Sequence, residues 1–279
     1  MSIGIYNEFI SQAGLENLKN YKYISGVYSK LDYKINPYWI LVTEHLPLWL
    51  APNMITLIGF LFLVSMTVLF MIFDSTISAN QPAFNFFYAG FAIFMYMNLD
   101  AIDGKQARRL NKGSPLGQLF DHGCDCIGTS LFTYNMIVMW KLGENMPVCF
   151  LTCFVSIFMF YSANWTEYHT HVLQTSNGFV GITEIECIMI AFNLLSGIFG
   201  PEFWQFSIFG WLIRFQNLRV LGYWFVHFYC LSKYNFYDWS LPQSKISFLI
   251  LENVSPDFYG LREHNFDIRC TNNGRMFVL

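Results

Sequence analysis

The chain has 279 residues, of which 54% are hydrophobic, 19% aromatic and only 13% charged, whereas an ordinary soluble domain carries about 25% charge; this is the composition of a membrane protein. A net charge of −3 excludes a nucleic-acid partner, because neutralising a phosphate backbone takes a surplus of Lys and Arg. Seven cysteines, an odd number without zinc-type spacing, exclude a disulfide framework and read as small packing residues.

The first 40 residues contain no charged stretch followed by a short apolar core and a cleavage site, so the first span is expected to act as the insertion signal. Leu15, Leu18, Tyr21 and Ile24 recur at roughly helical spacing among Glu16, Lys19 and Lys22, which predicts an interfacial helix. Tyr38, Trp39 and Trp49 supply aromatic anchors for a headgroup region. Pro52 fits the first turn of a helix. From Asn53 to Phe73 the chain is apolar for long enough to cross a bilayer, which takes about 20 residues. A polar turn, Asp74 to Pro82, precedes a second apolar run, Ala83 to Leu99, that leads straight into a charged motif. A third run extends from Pro115 to Trp140, a fourth from Pro147 to about Ala163, and a fifth from Ile182 to Phe199, where Gly200-Pro201 stops it. The short runs Phe203 to Ile213 and Val220 to Leu231, split by Arg214, Gln216 and Arg219, predict one broken sixth span, and the chain from Ser232 onward a non-spanning tail. The expected fold class is all-α, a polytopic integral membrane helical bundle with about six transmembrane helices and an N-terminal interfacial helix. Its expected parts are residues 1–51, 52–231 and 232–279.

The motif is Asp100-x2-Asp103-Gly104-x2-Ala107-Arg108-x8-Gly117-x3-Asp121-x3-Asp125. An ionised Asp at bilayer depth costs several kcal/mol, about 3 on insertion scales, so four at helical spacing point to an intramembrane metal site. Asp100, Gly104 and Arg108 share one face of the second helix, as do Gly117, Asp121 and Asp125 on the third. Opposed, the two faces gather four carboxylates that would repel one another unless divalent cations offset their charge. Hard oxygen ligands without thiolates favour a pair of Mg²⁺ or Mn²⁺ ions over zinc. Such a pair can clamp a diphosphate. Gly104 and Gly117 admit either a bulky ligand or a neighbouring helix. Arg108 offers a planar bidentate donor to a phosphate. The neighbouring Lys105, Arg109 and Lys112 meet phosphates or sit at the cytoplasmic membrane border. His122, beside Asp121, and Asp125 are the two candidates for a general base. His122 is slightly favoured, because a carboxylate that coordinates metal is a weak proton acceptor.

All eight specified positions of the motif resemble the signature of the CDP-alcohol phosphotransferases. Ala51 to Gly59, Asp103 to Arg109, and Phe120 to Asp125 are similar to the eukaryotic choline/ethanolamine phosphotransferase branch, and Thr183-Glu184 and Gly200 to Trp204 also look familial. The resemblance covers roughly residues 15–205. It implies transfer of phosphocholine or phosphoethanolamine from CDP-choline or CDP-ethanolamine to diacylglycerol, releasing CMP, in the endoplasmic reticulum or the Golgi. The partners it implies are those substrates, membrane lipid and, in the whole protein, a second copy in a homodimer. By the family pattern Asp100, Asp103, Asp121 and Asp125 hold the cations, while Asn53 and Arg108 touch the nucleotide together with the Gly104, Ala107 and Gly117 surface. Members of this branch continue through about ten spans, whereas here the resemblance fades after Trp204, and Asn193 stands where several relatives have histidine.

Two rival readings stay open: a shortened, catalytically impaired homologue, and an intramembrane cation transporter, which would show broken helices or an internal repeat. Asn164-Trp165-Thr166 and Asn253-Val254-Ser255 fit the glycosylation tripeptide and are discounted as chance matches. Glu167, His169 and His171, between the fourth and fifth runs, are expected in a solvated loop rather than lining the site.

Overall fold

The computed structural model describes residues 11–21, 26, 28–77, 80–143, 145–170, 172–173, 175–176 and 180–205, with four short strands at 207–208, 213–214, 268–270 and 276–278. The chain divides into two compact units, Met1–Phe236 and Tyr237–Leu279. The first carries helices α1 (Gln12–Asn20), α2 (Lys30–His45), α3 (Pro52–Phe73), α4 (Ala83–Arg109), α5 (Pro115–Met139), α6 (Met146–Thr170) and α7 (Ile182–Phe199). A 3₁₀ turn, Pro201–Gln205, and a short hairpin pairing Ser207 with Arg214 follow. The second unit contains an antiparallel pair, Ile268–Cys270 with Met276–Val278.

The fold is all-α in character, and α3, α6 and α7 are long and apolar enough to cross a membrane. The helices α4 and α5, at 27 and 25 residues, have the length but carry the charged motif where they meet. All five long predicted runs are therefore helices. The start of the expected sixth span is instead a 3₁₀ turn and a short hairpin, while Val220 to Leu231 and most of the predicted tail, with the Asn253 tripeptide, lie outside the described residues. The five cysteines described, Cys124, Cys126, Cys149, Cys153 and Cys187, are free thiols; two are buried and one is exposed.

Local chemistry sets most boundaries. Helix α2 starts on a capping box, in which the Ser29 hydroxyl accepts from Asp32 N–H at 3.0 Å and the Asp32 carboxylate accepts from Ser29 N–H at 2.8 Å. Pro52 opens α3 and Pro115 opens α5, where a proline loses no helical hydrogen bond. Gly200, at φ +79°, ends α7 in a conformation that side-chain-bearing residues rarely adopt.

Helix α4 is the central element, packed against both α3 and α7. Its buried Phe86, Ala89, Ile93 and Tyr96 join Leu63, Met66 and Phe70 of α3 and Met136 to Met139 of α5 in one core. In lipid, apolar contact between helices has little hydrophobic driving force, so close approach and hydrogen bonds carry more of the specificity. At Gly59 the space for a Cβ ends 3.2 Å from the Leu99 Cβ, which brings α3 onto α4 just beneath the motif. Apolar side chains along α6, among them Phe150, Phe154, Ile157 and Phe158, are exposed and form a face suited to lipid.

One polar clasp joins α5 to α7. The amides of Asn135 and Asn193, both fully buried, exchange hydrogen bonds of 3.1 and 3.0 Å, and Asn193 also donates to Met189 O at 2.9 Å. Replacing Asn193 by Leu strands the Asn135 amide away from water, at a cost of about 1–2 kcal/mol. The expected result is a thermal unfolding midpoint in detergent lower by about 2–4 °C; an unchanged or higher midpoint would show that the clasp adds no stability.

Candidate functional site

The motif residues lie where α4 and α5 meet. Asp100 and Asp103 project from the last turns of α4 and Asp121 from the first turns of α5; one carboxylate oxygen of each lies within 4.8 Å of the others. Asp125, the fourth predicted ligand, lies outside this group of three and accepts a hydrogen bond from the Tyr96 hydroxyl of α4. The structure therefore brings three of the four carboxylates together and ties the fourth to a tyrosine one turn deeper.

The donor set fits a hard cation. Oδ1 of Asp121 is buried and has no hydrogen-bond partner, and no lysine or arginine forms an ion pair with the three carboxylates among the described residues. A buried carboxylate oxygen without a partner is costly, and a cation shared by three acids is the economical way to satisfy it. The residues that would hold it are Asp100, Asp103 and Asp121, with Asp125 in reach of the same helix face.

Several neighbours not anticipated from the sequence fix these acids. The Thr56 hydroxyl of α3 donates to Asp103 Oδ2 at 2.5 Å, and Tyr96 holds Asp125. Neither belongs to the acidic spacing, so the only available signal was the apolar segment Ala51 to Gly59 in which Thr56 lies. Asn53 and Gly117 lie side by side: the open side of Gly117 faces Asn53 Oδ1 and Ser114 Oγ, 3.5 and 3.3 Å from where a Cβ would stand. Around Gly104 the only such neighbour among the described residues is Nη1 of Arg108 at 3.6 Å. The arginine thus lies along the face that the glycine leaves open. Ala107 is half-buried, and its carbonyl accepts from Lys112 N at 2.9 Å at the helix end.

The other basic residues divide by role. Arg109 donates to the carbonyls of Thr43, Leu46 and Glu44 at 2.7, 2.8 and 2.9 Å, so it caps the C-terminus of α2 rather than awaiting a phosphate. Lys105 sits over the Trp39 ring at 5.1 Å and donates to Ala101 O at 3.1 Å. Arg108 remains exposed and lines a hollow of about 370 Å³ between α2 and α4.

On the inner side of the carboxylates lies a cavity of about 260 Å³, walled by α4, α5, α6 and α7. Asp100, His122 and Asp125 stand at one part of its lining, and Phe132, Met136, Phe160, Ile185 and Met189 form apolar walls. Buried Glu186 also faces it. Asn193 is not among the lining residues; its side chain serves the clasp with Asn135.

The solvated loop expected for Glu167 and His169 is corrected. Helix α6 continues to Thr170, one further turn and more beyond Ala163, because nothing from Asn164 to Thr170 breaks it: the hydroxyls of Thr166 and Thr170 bond back to carbonyls four residues earlier at 2.8 Å each. Glu167 is consequently largely buried, 3.8 Å from Nδ1 of His122, and accepts a 2.8 Å hydrogen bond from Gln118. His169 stacks edge-on with Trp165, and His171 lies outside the described residues. Asn164 also points inward, lining the cavity and bonding to Phe160 O.

Residues 49–226 match the family model described as CDP-alcohol phosphatidyltransferase. The chain is 40% identical to cholinephosphotransferase 1 of Gallus gallus over 200 residues, covering 71% of this chain and 59% of that one. It is 35% identical to the protein of the same name in Xenopus laevis over 215 residues, 77% of this chain and 53% of that one. With that of Homo sapiens the identity is 35% over 217 residues, 78% and 53% of the two chains. The chain therefore spans between about half and three fifths of the length of these relatives. With three carboxylates gathered from two helices and a match over residues 49–226, the chain belongs to the CDP-alcohol phosphatidyltransferase family.

Proposed function

We propose that the protein transfers phosphocholine or phosphoethanolamine from its CDP-activated form to diacylglycerol, releasing CMP at the cytoplasmic border of the endoplasmic reticulum or Golgi membrane. The observation that carries this reading is the junction of two unlike surfaces: a trio of acids suited to cation-bound diphosphate opens beside an apolar cavity within a helical bundle suited to a lipid acceptor. The relatives' name favours choline as the headgroup. The basic residues between α4 and α5 favour the cytoplasmic side.

Mg²⁺ or Mn²⁺, when bound by Asp100, Asp103 and Asp121, supplies charge neutralisation for the diphosphate. The chain's own residues then do the rest. Arg108, with Asn53 and the open faces at Gly104, Ala107 and Gly117, positions the nucleotide. The apolar walls seat the acyl chains and bring the glycerol hydroxyl laterally from the bilayer, which replaces a bimolecular encounter by an oriented one. The hydroxyl oxygen forms a bond to the outer phosphorus, the bond from that phosphorus to the bridging oxygen breaks, and CMP carries away the electron pair. The hydroxyl proton passes to His122. Asp125, engaged by Tyr96, is the competing acceptor.

Microsomes holding the chain, given labelled CDP-choline or CDP-ethanolamine, diacylglycerol and Mg²⁺ or Mn²⁺, are expected to release CMP only when the acceptor lipid is present. Absence of acceptor-dependent CMP with either donor would leave the catalytically impaired homologue in its place. Thr56→Val, which removes the hydroxyl holding Asp103, is expected to raise the Mg²⁺ concentration for half-maximal CMP release about tenfold, with little change at saturation. An unchanged Mg²⁺ dependence would detach Thr56 from the site. In the whole protein a homodimer is part of the same proposal, tested by the mass of the detergent-solubilised species.

A further inference from the structure

We infer that Glu167 is a positioning residue for His122: it holds the imidazole with Nδ1 turned to α6 and leaves Nε2 for the acceptor hydroxyl. This rests on the proposed phosphotransfer, in which His122 receives the proton, and extends it to side chains outside the acidic motif. Three contacts carry the inference. The phenol of Tyr21, at the end of α1, donates to Oε1 of Gln118 at 2.6 Å. The Glu167 carboxylate only accepts, so Nε2 of Gln118 donates to its Oε1 at 2.8 Å and the amide oxygen is left to Tyr21. The other carboxylate oxygen, Oε2, stands 3.8 Å from His122 Nδ1. This is an approach rather than a formed hydrogen bond, and contacts of this kind tighten when substrate closes the site.

The direction of each donor decides the consequence. Because a carboxylate only accepts, Oε2 favours a proton on Nδ1 and leaves Nε2 as the lone-pair nitrogen. His122 lines the cavity while its Nδ1 faces α6, so Nε2 is the nitrogen available there. A polar neighbour that fixes the tautomer is worth orders of magnitude where a histidine must accept a proton at one defined atom. The chain of contacts also ties the interfacial segment to the site, since Tyr21, Gln118, Glu167 and His122 come from α1's end, α5, α6 and α5.

Substitution by the isosteric amide separates positioning from packing. In Glu167→Gln, with Tyr21 still donating to Oε1 of Gln118, the side-chain oxygen stays toward the Gln118 N–H, so the new NH₂ turns to Nδ1 and makes that nitrogen the acceptor. The proton then moves to Nε2, the wrong atom for the reaction. In full-chain microsomes assayed with CDP-choline and diacylglycerol, E167Q is expected to lower kcat about 10- to 100-fold with the KM for CDP-choline unchanged. Adding Gln118→Glu reverses the polarity: the amide NH₂ at position 167 donates to the carboxylate now at position 118, Tyr21 still donates to that carboxylate, and the amide carbonyl at position 167 faces Nδ1. The double variant Q118E/E167Q is expected to recover most of kcat. A purely structural role predicts the opposite order, with E167Q near wild type because an amide keeps the Gln118 bond and the volume. Full activity in E167Q, or no recovery in the double variant, overturns the inference.

A second readout does not need turnover. The ring nitrogens of His122 in ¹⁵N-labelled protein, assigned by their loss in His122→Ala, are expected to report a proton on Nδ1 in the wild type and on Nε2 in E167Q. The same tautomer in both proteins overturns the inference. If the wild type released no CMP, the proposed function would fall while the nitrogen spectra still decided this point.

Discussion

Asp121→Ala is expected to lower CMP release by at least about 1,000-fold, as removal of charge-stabilising groups does in reactions that develop charge, while the protein inserts and folds as before. Asp121 sits between the two faces, with its carboxylate oxygen within 4.8 Å of those of Asp100 and Asp103. Its buried Oδ1 has no partner to lose. Removing the side chain deletes one third of the oxygen cluster together with its contact to Asp103 of α4, and the loss of that contact is offset by relief of like-charge repulsion in the metal-free protein. The thermal midpoint without added metal is expected to stay or rise, and the stabilisation produced by Mg²⁺ or Mn²⁺ to vanish. Wild-type CMP release by this variant would refute the assignment of the acids as cation ligands.

His122→Ala is expected to lower kcat about 100- to 10,000-fold, the range for loss of a general base, with equilibrium binding of CDP-choline retained. The companion Asp125→Asn keeps volume and can still accept from Tyr96, but loses its negative charge beside the acids. If Asp125 serves mainly to hold cation and diphosphate, this variant weakens nucleotide binding and metal dependence together. The two substitutions thus part along binding and turnover. The reverse outcome, turnover lost in Asp125→Asn with binding intact and His122→Ala near wild type, would move the base to Asp125.

Asn193→Leu acts away from the acids and Thr56→Val acts through Asp103, and neither contact is visible in the sequence. The long apolar runs foretold α3 to α7 because membrane length and apolar composition are local properties; Ile182 to Phe199 is a helix with the predicted ends. The acidic pair on each helix was equally legible, since a fixed helical period decides which residues share a face. The end of α6 was misread because a run of Trp, Thr, Glu, Tyr and His carries no apolar signal, although its threonines bond back into the helix. In sequence Arg109 is indistinguishable from its basic neighbours; only the packing of α2 against α4 sets the carbonyls of Thr43, Glu44 and Leu46 around it.

By itself the amino-acid order determined that this chain is an all-α membrane protein, that its chemistry centres on four acids between Asp100 and Asp125, and which family it resembles. Composition, run length and helical period are all set by residues near one another in the chain. Only the tertiary structure decided that three acids cluster while Asp125 turns to Tyr96, that Thr56 holds Asp103, that Asn193 clasps Asn135, and that Glu167 lies beside His122. The physical reason is one of range. Across helices these pairings join side chains from 18 residues apart, Asp103 and Asp121, to 58 apart, Asn135 and Asn193, and the choice among polar partners depends on which helix faces pack together.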